Sequence, residues 1–353
     1  DEVIAFMTHR DVGMLDTLFH NATAGIQRDE DDMHISARSG YEAFLVAGEQ
    51  ALSATDPLPR AEITLIDAET GTTRNLSEGV LNAVLSPSGA YVLTTQDDGL
   101  YVVDLNTDET WQAQALPDGG RYLNFIWSVE GERLAVVRSL NMETDLFVLD
   151  VESREMRNLT ADITERPVIV NWSPNGEQIA LTAGLMSERV LYMIDFESGA
   201  TEHIATADQN GLDQLWGVIW RPDSQSYVIQ TGAIGWVDTG QPTARLYWRD
   251  SDGTLTQITD YGDGAQWSAD GRYILYRTSR PSPRLGVFDT RTGTASHQQT
   301  RTGIGFIQPQ WTSDSRHVIF NDLNRLYQWD IVTNTVTEIT PNPFGVIIYA
   351  LYE

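Results

Sequence analysis

Trp172-Ser173-Pro174-Asn175-Gly176-Glu177-Gln178-Ile179-Ala180 describes a strand that ends on an aromatic residue, a tight turn and a second strand. Proline suits the first central turn position, asparagine tolerates the next, and glycine takes the positive φ that lets the chain reverse. The stretch recurs as Trp127-Ser128-Val129-Glu130-Gly131-Glu132-Arg133-Leu134-Ala135 and as Trp267-Ser268-Ala269-Asp270-Gly271-Arg272-Tyr273-Ile274-Leu275, with looser copies starting at Leu85, Trp220 and Trp311. Successive starts lie 42, 45, 48, 47 and 44 residues apart, the spacing of one four-stranded propeller blade.

A second motif follows each copy of the first: an apolar strand, Asp, a few residues often closing on Thr/Ser-Gly, then a short polar strand. Its clearest forms are Leu65-Ile66-Asp67-Ala68-Glu69-Thr70-Gly71, Met193-Ile194-Asp195-Phe196-Glu197-Ser198-Gly199 and Val287-Phe288-Asp289-Thr290-Arg291-Thr292-Gly293. Asp104, Asp150, Asp250 and Asp330 stand at the same place elsewhere. A carboxylate there accepts turn N–H groups, so these aspartates read as turn formers rather than catalysts.

The two hairpins supply strands A to D, and counting them predicts an all-β propeller of eight four-stranded blades, with seven as the alternative, in a single domain over residues 1–353. Blades two to eight run approximately 29–78, 79–116, 117–160, 161–206, 207–260, 261–300 and 301–340. The first is split: 1–28 supply strands B, C and the start of D, and 345–353 supply the missing strand A, so that the C-terminal strand closes the ring on the N-terminal blade. An open ring would expose an apolar face and an unpaired edge at each end. Burying about 300 Å² of apolar surface at the seam contributes roughly 7 kcal/mol before entropy costs.

Composition narrows the chemistry. The 353 residues carry a net charge of −27, with no cysteine, and all 23 basic residues are arginine. Disulfides, thiol nucleophiles, Schiff bases and a phosphate-loop lysine are thereby excluded. Nucleic acid and anionic lipid require a cationic footprint that this charge opposes. No apolar run is long enough to cross a bilayer, so membrane association is expected only through a partner or a missing anchor. Because the chain begins on Asp1, the sequence reads as a processed or trimmed segment from which a leader or anchor is missing.

These motifs resemble the TolB-like propeller repeats, whose Trp-Ser-Pro-Asp-Gly hairpin also occurs in the propeller domains of prolyl oligopeptidase and dipeptidyl peptidase IV relatives. The resemblance covers nearly the whole chain and implies the fold, together with an extracytoplasmic (periplasmic, secreted or cell-surface) location. Function does not transfer with it. TolB resembles a six-bladed ring behind an α/β domain, whereas eight repeats and no such domain are read here. The peptidase relatives carry a hydrolase domain after the propeller, and this sequence has no Gly-x-Ser-x-Gly elbow.

A dispersed site is harder to find by motif. His9, at a strand end, and His34, in the next blade, are candidate metal ligands that would meet across the ring. Asp29 and Asp31 in the Asp29-Glu30-Asp31-Asp32 run, and Asp97 and Asp98 ahead of Gly99, are candidate oxygen ligands for Ca²⁺, though neither run has the spacing of a calcium loop. The motif tryptophans at 127, 172, 220, 267 and 311 invite a quinone-cofactor reading. Their recurrence favours sheet packing instead, since a cofactor is needed once and a core contact in every blade.

Strand order puts the A–B and C–D turns on one face and the B–C and D–A connections on the other. The first face is built of the two tight motifs; the second carries the irregular sequence, with B–C loops at 49–62 and 232–244 and smaller ones at 138–144 and 279–284. Rigidly held loops are where recognition concentrates, and exposed aromatic or arginine side chains make its anchors. Trp236, Trp216, Arg280, Arg284 and Arg10 are the candidates. The sequence therefore points to a non-enzymatic, protein-binding or scaffold propeller acting through the variable loop face, as an extracytoplasmic subunit or accessory protein of a larger assembly. The alternative is a hydrolase, lyase or quinoprotein with a site dispersed around the central channel.

Overall fold

The computed structural model describes residues 3–7, 33–36, 43–49, 61–67, 73–185, 188–207, 212, 214–232, 244–278, 284–299, 309–322, 325–340 and 347–352, with side chains from Val80 to Ile339 apart from Asp322. All the regular structure among them is antiparallel β-sheet. Seven four-stranded sheets span 33–80, 82–115, 121–158, 167–206, 215–259, 262–299 and 310–340, each with its strands hydrogen-bonded in sequence order. The described boundaries depart from the expected ones by a few residues, as where Thr73–Val80 runs past the expected end at 78.

Burial along the strands explains their sequences. The second strand of the 167–206 sheet, Gln178–Ala183, is buried at every position after the first, whereas the outer strand Thr294–Gln299 of the 262–299 sheet is exposed almost throughout. A strand covered on both faces reads as a continuous apolar run, and an outer strand reads as polar. This gradient repeats in the other sheets whose side chains are described.

The chain divides into two compact units, Gly13–Pro167 and Asp1–Val12 with Val168–Glu353. In the first, Leu93, Leu100 and Val102 of the 82–115 sheet pack with Trp127, Leu134, Val136 and Leu149 of the 121–158 sheet. In the second, three such cores lie between successive sheets. Ala180, Leu191 and Met193 meet Leu215, Val218 and Ile229; Val228 and Leu246 meet Ile274, Tyr276 and Phe288; Leu275, Leu285 and Val287 meet Val318, Phe320 and Trp329. The terminal strands Val3–Met7 and Ile347–Tyr352 pair antiparallel, and Ile347–Tyr352 lies beside Gln310–Trp311 and His317–Asp322. That pairing joins the two segments assigned to strands B and A of the split blade; the remainder of 8–28 lies outside the described residues.

Both motifs act as turn formers. In the hairpins the serine after the motif's first residue is almost fully buried, and its Oγ accepts the N–H five residues on: Tyr91 to Ser86 at 3.0 Å, Arg133 to Ser128 at 3.1 Å, Gln178 to Ser173 at 2.9 Å and Tyr273 to Ser268 at 2.9 Å. Gly89, Gly131, Gly176 and Gly271 take φ between 67° and 76°, while Ser224 and Ser315 hold the same place in the two looser copies at 63° and 54°. Each of those serines gains a tie to the preceding hairpin, Ser224 Oγ accepting Asn175 N–H and Ser315 Oγ accepting Asp270 N–H, both at 2.9 Å.

The turn aspartates cap their own turns. Asp150 accepts Ser153 N–H at 2.9 Å, Asp195 accepts Ser198 N–H at 2.8 Å, Asp250 accepts Thr254 N–H at 2.8 Å and Asp330 accepts Val332 N–H at 2.9 Å. Arg272 grips Asp289 with two N–H groups, at 3.2 and 2.7 Å, tying the two turns of one sheet together. The tryptophans form a ladder between sheets: the indole N–H of Trp220 donates to Asn171 O at 3.4 Å, that of Trp267 to Ile219 O at 3.0 Å, and that of Trp311 to Gln266 O at 3.3 Å. Each acceptor immediately precedes the motif aromatic of the previous sheet.

One expected loop is absent. Residues 138–144 form a continuous hairpin instead, because Asn141 and Met142 both adopt positive φ, at 53° and 67°, and close a two-residue turn whose twist matches the strands. Met142 is left 77% exposed at its tip.

Candidate functional site

Of the five candidate anchors, Trp216 and Arg284 are described; Trp236, Arg280 and Arg10 lie outside the described residues, as do His9, Asp29 and Asp31, and the side chain of His34. Arg284 opens the strand Arg284–Asp289 on the 262–299 sheet, and its charge bears on His297 of the neighbouring strand. Asp97 and Asp98 form the two-residue turn between Tyr91–Gln96 and Gly99–Asp104. Asp98 accepts the Tyr101 hydroxyl at 2.9 Å, and Gly99 is required because a Cβ there would stand 2.4 Å from Gln114 O. Among the described residues no three His, Asp or Glu side chains converge as a metal site.

Trp216 marks a more elaborate corner. It lies in Leu215–Trp220, the first strand of the 215–259 sheet, at the end from which the D–A and B–C connections leave. Arg189, from the B–C connection of the 167–206 sheet, spreads its guanidinium 4.7 Å from the centre of the Trp216 ring. Its Nη1 donates to Leu215 O at 2.9 Å. Only 6% of Arg189 is exposed, and burial lowers its pKa.

Among the described residues, three buried polar atoms of this corner have no hydrogen-bond partner: Arg189 Nε, Trp216 Nε1 and Gln214 Oε1. Gln214 itself is bent to a φ of 43°, and its carbonyl accepts Gly232 N–H at 2.9 Å, which links the corner to the start of the 232–244 loop. Leu185, on the same connection as Arg189, is 73% exposed. Leaving a buried donor or acceptor unmatched costs about 1–3 kcal/mol each, and a buried guanidinium without a carboxylate costs more. Such a corner is expensive as mere packing. It offers two donors and one acceptor beside an apolar surface, the chemistry that holds a carbonyl or carboxylate together with an adjacent N–H.

Sequence reading singled out Trp216 but not Arg189 or Gln214. Arg189 immediately precedes an apolar strand and resembles any loop arginine. Only the three-dimensional placement shows that it is buried and stacked.

No family model matches the sequence, and no curated protein matches it significantly. Solved structures do. A dipeptidyl peptidase 4 from Porphyromonas gingivalis aligns over 90% of this chain at 14% identity with a TM-score of 0.65, and the chain spans about half of that structure, 54%. An oligogalacturonate lyase in complex with manganese aligns over 91% of this chain and 94% of its own at 15% identity, with a TM-score of 0.51. The fold is a β-propeller. TolB from Acinetobacter baumannii is also among the matches, over 98% of this chain and 97% of its own, at 12% identity and a TM-score of 0.39. At these identities the first two structures share their fold alone with the chain.

Proposed function

We propose that this propeller is a binding or scaffold protein that engages a protein partner through its loop end, at the corner built by Arg189, Gln214, Trp216 and the exposed Leu185. The observation that carries the reading is the set of three unmatched buried polar atoms around a stacked guanidinium. Hot spots of protein interfaces are enriched in tryptophan and arginine at desolvated positions, and a partner backbone seated here would supply the missing acceptor and donor. Eight blades closed by the terminal pair, in one domain, form the scaffold in this proposal, and an extracytoplasmic location as an accessory subunit accompanies it.

The test is capture of native partners on the full chain followed by cross-linking. Trp216→Ala and Arg189→Gln are expected to lose the partner while retaining the wild-type circular dichroism spectrum and elution volume. A partner retained at full strength by both folded variants would overturn the assignment.

A further inference from the structure

The seven sheets share a register pair immediately inside their tight turns. It is Phe44 with Ile66, Val92 with Val103, Leu134 with Leu149, Ile179 with Ile194, Ile274 with Phe288, and Val318 with Trp329. In the 215–259 sheet the pair is Tyr227 with Arg249. Two polar groups replace a pair that is apolar in every other sheet, at places where the described side chains are essentially fully buried.

The adjoining turn departs too. In five sheets the residue after the turn aspartate donates its N–H to a carbonyl of the same sheet's first hairpin: Leu105 to Ala90, Val151 to Glu132, Phe196 to Glu177, Thr290 to Arg272 and Ile331 to Arg316. In four of them that residue is apolar, and Leu105, Val151 and Ile331 pack in cores shared with the preceding sheet. In the 215–259 sheet the turn is one residue shorter, since Asp250 N–H reaches Thr254 O where Asp195 N–H reaches Ala200 O, and Ser251 stands at this place. The cleft toward the 167–206 sheet is accordingly about 460 Å³, against about 230 Å³ for the corresponding cleft between the 262–299 and 310–340 sheets, which Ile331 and Val332 occupy.

The lining of the larger cleft is amphoteric. At its base Tyr227 is 3% exposed, and among the described residues Arg249 alone bears on its hydroxyl as a hydrogen-bonding group. Burial pushes the phenol up to about 12, with the Arg249 charge pulling it back and the Glu202 charge adding to the rise, so it presents a neutral O–H. Arg249 lies beside the ring, 5.5 Å from its centre, and acts on the phenol both by its charge and by a hydrogen bond. Trp220, edge-on to Tyr227 at 5.1 Å, forms an apolar wall with Met193 and Ile204. The rim carries Glu177, Glu202 and Asp223, of which Asp223 is held by Arg221 at 3.2 Å and Glu177 by Asn175 at 2.6 Å.

We propose that this cleft binds a small zwitterion of the α-amino-acid class, its carboxylate received by Arg249 and the Tyr227 hydroxyl and its ammonium by Glu202 and Glu177. An anion alone would meet the carboxylate rim, and a cation alone would meet Arg249; a ligand bearing both charges satisfies both ends across the apolar wall. The volume falls within the range of small-molecule sites, roughly 300–1,000 Å³. This cleft opens beside the tight turns, at the other end of the strands from the Trp216 corner, so the two sites fail or succeed independently.

The experiment is isothermal titration of the full chain with L-leucine, L-phenylalanine and L-lysine, beside their N-acetyl and methyl-ester derivatives. At least one free amino acid is expected to bind with a submillimolar Kd, and each blocked derivative about tenfold or more weaker. Tyr227→Phe is expected to weaken binding about tenfold, the loss of one hydrogen bond to a charged group. The double variant Y227I/R249L, which restores the apolar pair of the other sheets, is expected to melt higher than wild type and to bind nothing. No binding by any free amino acid at millimolar concentration, equal binding of a blocked derivative, or undiminished binding by Tyr227→Phe would each overturn the proposal.

Discussion

Replacing Trp267 by Phe and, separately, Trp127 by Phe tests the tryptophan ladder with its own control. Both residues open the same motif and both lose the same ring area, so transfer and cavity terms largely cancel between the variants. They differ in their partners: Trp267 N–H donates to Ile219 O at 3.0 Å and has the Arg221 guanidinium 5.9 Å from its ring, whereas Trp127 Nε1 has no hydrogen-bond partner. A net hydrogen bond contributes about 0.5–1.5 kcal/mol, and a half-exposed cation–π contact about 0.5–1 kcal/mol. Trp267→Phe should therefore destabilise by about 1–2.5 kcal/mol more than Trp127→Phe. Equilibrium urea unfolding followed by intrinsic fluorescence and circular dichroism measures the difference, and Arg221→Gln apportions the cation–π share. Equal losses, or a larger loss for Trp127→Phe, would refute the ladder as a source of cohesion between sheets.

Three further outcomes follow from the same structure. Gly286→Ala would place a Cβ 2.3 Å from Cζ of Tyr276, a ring that is almost fully buried and hydrogen-bonded to His297 at 3.0 Å. Overpacking of this kind costs about 1–3 kcal/mol, so the melting temperature should fall, and adding Tyr276→Leu should recover part of it. Burial, and after it the Arg284 charge, lowers the His297 pKa; a depressed folded value gives stability that is complete above the ordinary value of about 6.5 and is lost as pH falls. Melting temperature should thus decline between about pH 7 and 5, less steeply in His297→Gln. A second decline belongs only to stronger acid, because hydrogen bonds from Arg316 hold Asp330 well below the usual carboxylate range. Deleting 345–353 removes Ile347–Tyr352, the partner of Val3–Met7, and should lower the melting temperature or leave the chain aggregated; unchanged melting would disprove the split-blade assignment.

Much of the fold was legible because its information is local and repeated. The Trp-Ser-x-x-Gly hairpin and the turn aspartate carry their own hydrogen bonds, as Ser173 with Gln178 and Asp195 with Ser198 demonstrate, so each repeat announces one sheet. Where the turn chemistry departed from the common pattern the reading failed: Asn141-Met142 closes a tight turn although neither residue is glycine. The site was less legible for a different reason. Trp216 stood out by residue type, but Arg189 acquires its meaning only when the neighbouring sheet buries it against that ring. The Tyr227–Arg249 pair was visible in principle, by aligning the repeats and asking which copy breaks the apolar pattern. A motif search looks for what copies share, and this cleft exists because one copy differs.

The most direct test of a propeller that binds through its loop end is hydrogen–deuterium exchange on the captured complex against the free chain. The account predicts new protection at 184–190 and 214–217, around Arg189 and Trp216, with the tight hairpins at 173–178 and 221–226 unchanged. Protection confined to those hairpins, with the Arg189–Trp216 corner exchanging as in the free chain, would contradict it.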